Sequence, residues 1–486
     1  MSPNMVGFSF IILGVFLILG KITRFKTKWL KRLFLPSSII AGFLALLVGP
    51  QVLGRLTSMF LNESSFFYNG LIPEFILDTW SPLPGMFINI VFAALFLGQK
   101  VPTMKRIWNN SGPQIIMGYA VSFGQYVVGL LLTLLVLSPL FGTNPMAGAL
   151  IEVAFVGGHG TAAGLGSTFN ELGFAEGADL ALGLATVGIL VGVITGIAII
   201  NVFHRKGKAK YVEGEKALTD EDRDTIADTY GYEMEQEIKE PKAIEPLAFH
   251  LSLVGGAILI GYIIQQALVW LEAATWGPPT DVYVLSFVPL FPLAMIGGMV
   301  IQKVFELLDI DNYIDPNLVN KISGFALDVL LVSALATLSL DVIGDNLIPF
   351  VLLAIAGTAW TTFAFLYLGP RMLPDHWLER GVGDYGQYMG MAATGLLLMK
   401  VADPDQQSPA LEGFGYKQIL FEPVLGGGLV TSASLPLIYQ FGPWVFLAIT
   451  GTLTLIFVAF GLYYFSPKRS GQRESTRSFQ ARKRDN

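Results

Sequence analysis

The sequence predicts an all-α integral membrane protein. Two inverted-topology repeats, each of five transmembrane helices plus a re-entrant hairpin, are followed by one additional C-terminal transmembrane helix. Three observations predict it. The composition is membrane-like, with 53% hydrophobic and 14% charged residues over 486 positions and a mean hydropathy of +0.58; soluble domains carry about 25% charged residues. The basic residues alternate along the chain as a membrane topology requires. Three short motifs recur in the same order in the two halves.

Hydrophobic runs long enough to cross a bilayer, about 20 residues each, lie near 5–20, 33–53, 83–100, 113–139 and 178–203. They resume near 246–272, 282–304, 320–343, 346–370, 417–438 and 443–465. Period-two alternation is absent, which argues against an outer-membrane barrel. The first run is followed by Lys21-Ile22-Thr23-Arg24 and not by a small-residue cleavage site, so it reads as a retained helix. With no cysteine and four scattered histidines (His159, His204, His250, His376), disulfides and thiolate metal sites are excluded and no metal motif is formed. No Gly-Lys-Ser/Thr follows any glycine run, which argues against ATP-driven transport.

Two further apolar stretches, 145–168 and 383–401, are interrupted by glycine. The first holds Val156-Gly157-Gly158-His159-Gly160-Thr161-Ala162-Ala163-Gly164, a density of glycine that a lipid-facing helix has no use for. It is either a tight helix-packing surface or a turn at membrane depth, where irregular backbone survives only inside protein or against a wet cavity.

Charge decides. Lys21–Arg32 is basic and cytoplasmic, which puts the N-terminus outside. Lys100, Lys105 and Arg106 mark the inside, and 138–145 has no basic residue. If 145–168 turns back, its acidic exit Glu171…Glu176 is outside, and the next span ends inside at His204-Arg205-Lys206. In the second half Lys303, Lys321, Arg371 and Arg380 fall inside, and a non-crossing 383–401 keeps Lys400 and Lys417 inside. The C-terminus is then cytoplasmic. Counting both stretches as spans breaks the agreement.

The predicted organisation is a first membrane repeat 1–203 with hairpin 145–168 and a polar cytoplasmic linker 204–243. A second repeat, 244–440, carries hairpin 383–401. An extra transmembrane helix 441–466 and a basic cytoplasmic tail 467–486 follow. The repeat rests on Pro36…Gly42 against Pro292…Gly298, Gly85…Asn89 against Gly324…Asp328, and Gly160…Gly164 against Gly390…Thr394. Five spans and a hairpin per half invert the second repeat, the architecture of many secondary transporters, with binding near the midplane.

Gly157-Gly158-His159-Gly160-Thr161-Ala162-Ala163 with Thr168-Phe169…Glu171…Gly173, and the early Leu35-Pro36-Ser37-Ser38 segment, resemble the bacterial sodium/glutamate symporter family. The resemblance implies two inverted repeats with re-entrant loops, sodium-coupled uptake of glutamate, a multi-pass protein of the bacterial inner membrane and a homodimer. Sodium is the coupling ion it implies, with no other cofactor. Tyr388 and Met389 beside the second hairpin and the eleventh span set this chain apart from the glutamate carriers.

A hairpin tip can bind an anion through free backbone N–H groups. The candidate substrate residues are Gly157, Gly158, His159, Gly160, Thr161, Gln387, Gly390 and Thr394. His159 is placed to contact substrate, to carry a coupling proton, or to hydrogen-bond the turn. Asp328 is an ionisable residue in an apolar span. With its repeat counterpart Asn89 and nearby Ser333 it forms the candidate sodium site. Glu152 and Asp384 read as solvated or capping carboxylates at the hairpin entrances. Gly426-Gly427-Gly428 reads as room for the second hairpin. The expected function is sodium-coupled symport of glutamate or a related small organic anion by alternating access, and not an enzymatic one. The alternatives are a proton-coupled carrier of another carboxylate or amino acid, or a channel or sensor on the same frame.

Overall fold

An apolar chain in a bilayer must satisfy its backbone within the segment, which leaves helices as the solution for runs of this length. The structure, a computed structural model, describes residues 3–28, 30, 35–62, 65, 67–99, 102–207, 211 and 246–466. Among the described residues there is no strand, and ten helices are long and apolar enough, by length and composition, to cross a membrane. The expected linker 204–243, apart from 204–207 and Tyr211, and the tail 467–486 lie outside the described residues.

The first half supplies α1 (Pro3–Lys26), α2 (Ser37–Val48), α3 (Leu83–Ala94), α4 (Met104–Leu132), three short helices α5 (Leu150–Phe155), α6 (Gly158–Gly164) and α7 (Gly166–Glu171), and α8 (Glu176–Arg205). The second supplies α9 (Pro246–Ala274), α10 (Leu290–Leu307), α11 (Pro316–Ala336), α12 (Leu347–Met372), α13 (Trp377–Ala402), α14 (Ala410–Phe421) and α15 (Leu429–Phe441), then α16 (Pro443–Tyr464). Ten of the eleven predicted spans correspond to these ten long helices. The remaining one, 417–438, is divided: Pro423 cannot continue a helix, and Gly426 and Gly427 take positive φ of 70° and 103°, so α14 and α15 are separate. Mean hydropathy over that stretch is high, but its backbone cannot run through.

Two groups of helices result. In one, α1 packs on α2, α2 on α11, α11 on α3, α3 on α10 and α10 on α9. Each half contributes three helices to it in matching order. The glycines in register between the halves sit at matching contacts: Gly42 closes on Leu335 of α11, and Gly298 on the Ala93 carbonyl of α3. In the other group α4 gathers α12, α14 and α16, while α8 lies along α13.

Both glycine-interrupted stretches break their helices at glycine. At the first, the N–H groups of Val156 and Gly157 both donate to the Glu152 carbonyl, at 3.0 and 3.1 Å. Gly158 then takes φ of 69°, which separates α5 from α6, and the two stay in contact. At the second, helical geometry fails at Gly390 and Met391, the latter with φ of 66°. The two legs of α13 run face to face: Gly386 lies on the Gly395 backbone and Gly383 on the Met399 side chain. The Thr394 hydroxyl donates to the Gly390 carbonyl at 2.6 Å, tying the turn.

Candidate functional site

The two turns meet. A Cβ built on Gly158 lies 2.7 Å from the Met391 sulfur, so a side chain at that positive φ would press on that neighbour. The second turn also presses on α8, where the Met389 carbonyl faces Gly188. Gln125 of α4 holds it from the other side, its amide donating to the Tyr388 carbonyl at 2.8 Å and to the Thr361 hydroxyl at 3.0 Å. Gly157, Gly158, Gly160 and Gly390 are thus brought into one region. Along the returning leg Gly160 and Gly164 face Ile88 of α3, and Gly164 also meets Phe291 of α10. Helix α6 therefore presents its glycines to the first helix group.

The polar residues expected at the tips take different parts. His159 is fully buried and its Nε2 lies 2.9 Å from the Thr186 hydroxyl. Its Nδ1 has no hydrogen-bond partner among the described residues, nor has the hydroxyl of the fully buried Thr161. Gln387 forms a reciprocal amide pair with Gln418, at 2.8 and 3.0 Å, and its amide also donates to Glu422 at 3.1 Å. Thr394 is occupied with its own turn.

Two sequence expectations are corrected here. Glu152 and Asp384 are not solvated; both are fully buried. Glu152 accepts from the Tyr126 hydroxyl at 2.5 Å, the Thr431 hydroxyl at 2.8 Å and the Gly426 N–H at 3.3 Å. Asp384 takes the Lys417 ammonium at 2.7 Å and, weakly, the Gln114 amide at 3.4 Å. Lys417 is itself fully buried. Its ammonium stands 4.8 to 5.0 Å from the rings of Tyr388, Phe414 and Phe421 and 3.3 Å from the Tyr388 hydroxyl. An internal ion pair with an aromatic surround satisfies a lysine that a bilayer interior otherwise disfavours.

The third correction concerns Gly426-Gly427-Gly428. It makes room for the first folded-back segment: a Cβ on Gly427 falls 2.5 Å from both the Thr161 hydroxyl and the Phe92 ring. Two of these features had a signal in the sequence. Phe414, Lys417 and Phe421 share one helical face, as do Arg380, Asp384 and Tyr388 at four-residue spacing. Arg380 is almost fully buried and donates to the Asn110 carbonyl and the Gln114 side chain on α4. Glu422 carried no such signal.

The candidate sodium residues lie in the first helix group. Asn89 of α3 and Asp328 of α11 are half-buried on helices that pack together, with Phe87 edge-on to Phe325. The Asn89 amide donates to the Gly85 and Met86 carbonyls. Ser333 donates to Val329 and Leu330 carbonyls of its own helix, at 2.7 and 3.1 Å, a self-contained role. Among the described residues no group of three or more His, Asp or Glu is arranged to hold a metal ion.

A comparison with protein families matches residues 6–372 to the sodium/glutamate symporter family. The match covers most of the chain, which therefore belongs to that family: it is a multi-pass membrane protein of a transporter family, with sodium as the coupling ion the family implies. The second folded-back segment, Lys417 and Glu422 lie beyond the matched residues. A comparison with curated proteins finds no match.

Proposed function

We propose that this chain is a sodium-coupled carrier of glutamate or a closely related small organic anion, working by alternating access. The observation that carries the reading is the meeting of two glycine turns, Gly158 against Met391, one contributed by each half of a chain that belongs to the sodium/glutamate symporter family. In this reading the halves are inverted repeats, 1–203 and 244–440. The stretches 145–168 and 383–401 are re-entrant hairpins entering from opposite faces, and 441–466 is an added span. The N-terminus is outside and the C-terminus cytoplasmic, in a bacterial inner membrane. Linker 204–243 and tail 467–486 are cytoplasmic.

Substrate is held at the tips by Gly157, Gly158, Gly160 and Gly390 through the backbone, with His159, Thr161, Gln387 and Thr394 lining the site. The group built on α4, α8 and α12 to α14 moves with its substrate against the group built on α1 to α3 and α9 to α11. Glycine contacts such as Gly164 on Ile88 and Phe291 support this division, because a surface without side chains slides with little interlocking. The first group also serves as the homodimer interface. Asn89, Asp328 and Ser333 line the sodium site, at the boundary the moving group crosses; sodium and substrate bind one conformation together and each tightens the other.

Uptake of labelled glutamate and other amino and carboxylic acids into proteoliposomes tests the proposal. Uptake driven by an inward sodium gradient is the expected result. Uptake driven by a proton gradient alone removes the sodium assignment, and no substrate-coupled flux removes the carrier reading.

A further inference from the structure

The two helix groups are tied to each other by an ion pair between chain segments 286 residues apart, Arg55 to Asp341. Arg55 belongs to the first group. Helix α2 ends at Gly49, which is extended, and the chain continues as one π-helical turn, Pro50–Gly54, that leads into Arg55. The following loop folds back and braces this end: the Leu71 N–H donates to the Val48 carbonyl at 2.8 Å, and the Thr57 hydroxyl lies 2.6 Å from the Phe67 carbonyl. Asp341 is held by the second group. It stands in the first turn of a short helix, Leu340–Asp345, capped by Ser339. The Ser339 N–H donates to the Asp179 carboxylate of α8 at 2.9 Å. Ile343 of the short helix and Phe350 of α12 close on Gly183 of α8, and the short helix packs on both α8 and α12. A second contact joins the groups: the Thr168 hydroxyl of α7, which lies on α8, donates at 3.3 Å to the Phe287 carbonyl just before α10. In the topology read above, α2 ends outside and α11 delivers Asp341 to that same side, where the chain leaving α7 also emerges.

If the second group moves against the first, the short helix travels with α8 and α12, to which hydrogen bonding and packing fasten it, and its link to Arg55 is the one that must part. The strength of that link suits repeated opening. The two side chains are 46% and 56% exposed, so water is at hand to solvate each charge when they separate. An exposed pair shifts an equilibrium by no more than about 5-fold, enough to favour one state without trapping it. A buried pair in the same place would hold far more tightly against separation. We propose that Arg55 and Asp341 form a latch that holds the outer side of the carrier closed and parts each time that side opens. The inference rests on the carrier reading and topology above, and adds the residues that keep one side shut.

The chain has no cysteine, so one introduced thiol can report the opening. Ile88 of α3 is 1% exposed and lies against Gly160 and Gly164 at the boundary between the groups. In full-length Ile88→Cys protein in right-side-out membrane vesicles, the rate of labelling by a sulfonated, membrane-impermeant maleimide added outside measures how often that boundary is bared. Adding Arg55→Ala should speed labelling about 2- to 5-fold, Asp341→Ala should do the same, and the two together should add nothing further. Exchanging the charges, Arg55→Asp with Asp341→Arg, should bring the rate back toward that of the parent, which a merely misfolded variant would not do. Raising the salt about tenfold should speed the parent and leave Arg55→Ala unchanged, because salt screens exposed charges. Labelling of Arg55→Ala at the parent rate or slower overturns the inference. So does an exchanged pair that labels as fast as Arg55→Ala, which would make the effect one of packing and not of charge. If sodium and glutamate leave the parent's labelling rate unchanged, the boundary does not answer to them and the carrier reading falls first.

Discussion

Replacing Lys417 by methionine isolates the energetics of the buried pair that joins the second folded-back segment to α14. Methionine keeps a long flexible side chain among Tyr388, Phe414 and Phe421, so the change removes charge more than volume. What remains is the Asp384 carboxylate with no exposure. Its Oδ2 already lacks a hydrogen-bond partner among the described residues, and its Oδ1 keeps only the Gln114 amide at 3.4 Å, beyond the usual 2.7–3.2 Å range. Arg380 still acts on Asp384 through its charge but donates no hydrogen bond to it, so the cost falls in the range for breaking a buried pair, about 3–5 kcal/mol. Removing the charge of Asp384 as well, in Lys417→Met with Asp384→Asn, should recover most of that loss. The double variant should lie within about 1–2 kcal/mol of wild type, because buried pairs contribute little net stability over neutral groups of the same shape. Denaturation of the purified wild type, both single variants and the double variant in one detergent checks the cycle. A Lys417→Met protein as stable as wild type, or a double variant less stable than Lys417→Met, would refute the reasoning.

Three further outcomes are expected. Cysteines at Gly158 and Met391, in a chain with none of its own, should form a disulfide on oxidation, since the Cβ positions are 3.4 Å apart against a usual 3.5–4.5 Å or so. Transport should then stop and return with reductant, and failure to cross-link in any state would separate the two turns. Gly427→Ala should cost about 1–3 kcal/mol, because its φ of 103° disfavours a side chain and Phe92 and Thr161 fill the space. Gly255→Ala, with nothing within 4 Å, should stay within about 0.5 kcal/mol; thermal unfolding in detergent compares the two. Asp328→Ala should abolish the sodium dependence of uptake, and full dependence in that variant removes Asp328 from the sodium site.

Much of the fold was legible because a bilayer reduces folding to a length and a sign. Ten of the predicted runs are long helices, since any run that apolar must close its own hydrogen bonds. The helix break at Gly157-Gly158 was legible because glycine is costly in a helix. The same rules missed the break within 417–438 and the burial of Lys417. Hydropathy averages side chains and is blind to Pro423 and the positive φ at Gly426 and Gly427. The positive-inside rule assigns a lysine to a surface by its place in the chain, although Lys417 shares a helical face with Phe414 and Phe421. That face could be read as buried only by knowing that Asp384 stands opposite, and their partnership is a matter of tertiary packing between α13 and α14.

The carboxylates make the general reason plain. A lone Glu in an apolar stretch reads as capping or solvated, because local sequence offers it no partner and an unpartnered buried charge is prohibitively costly. Glu152 escapes that cost through Tyr126 on α4 and through Thr431 and Gly426 from the other half of the chain. Glu422 reaches the same glycine from its own loop. The most informative charges are therefore the ones local reading sends to the surface: each lies inside because distant segments converge on it.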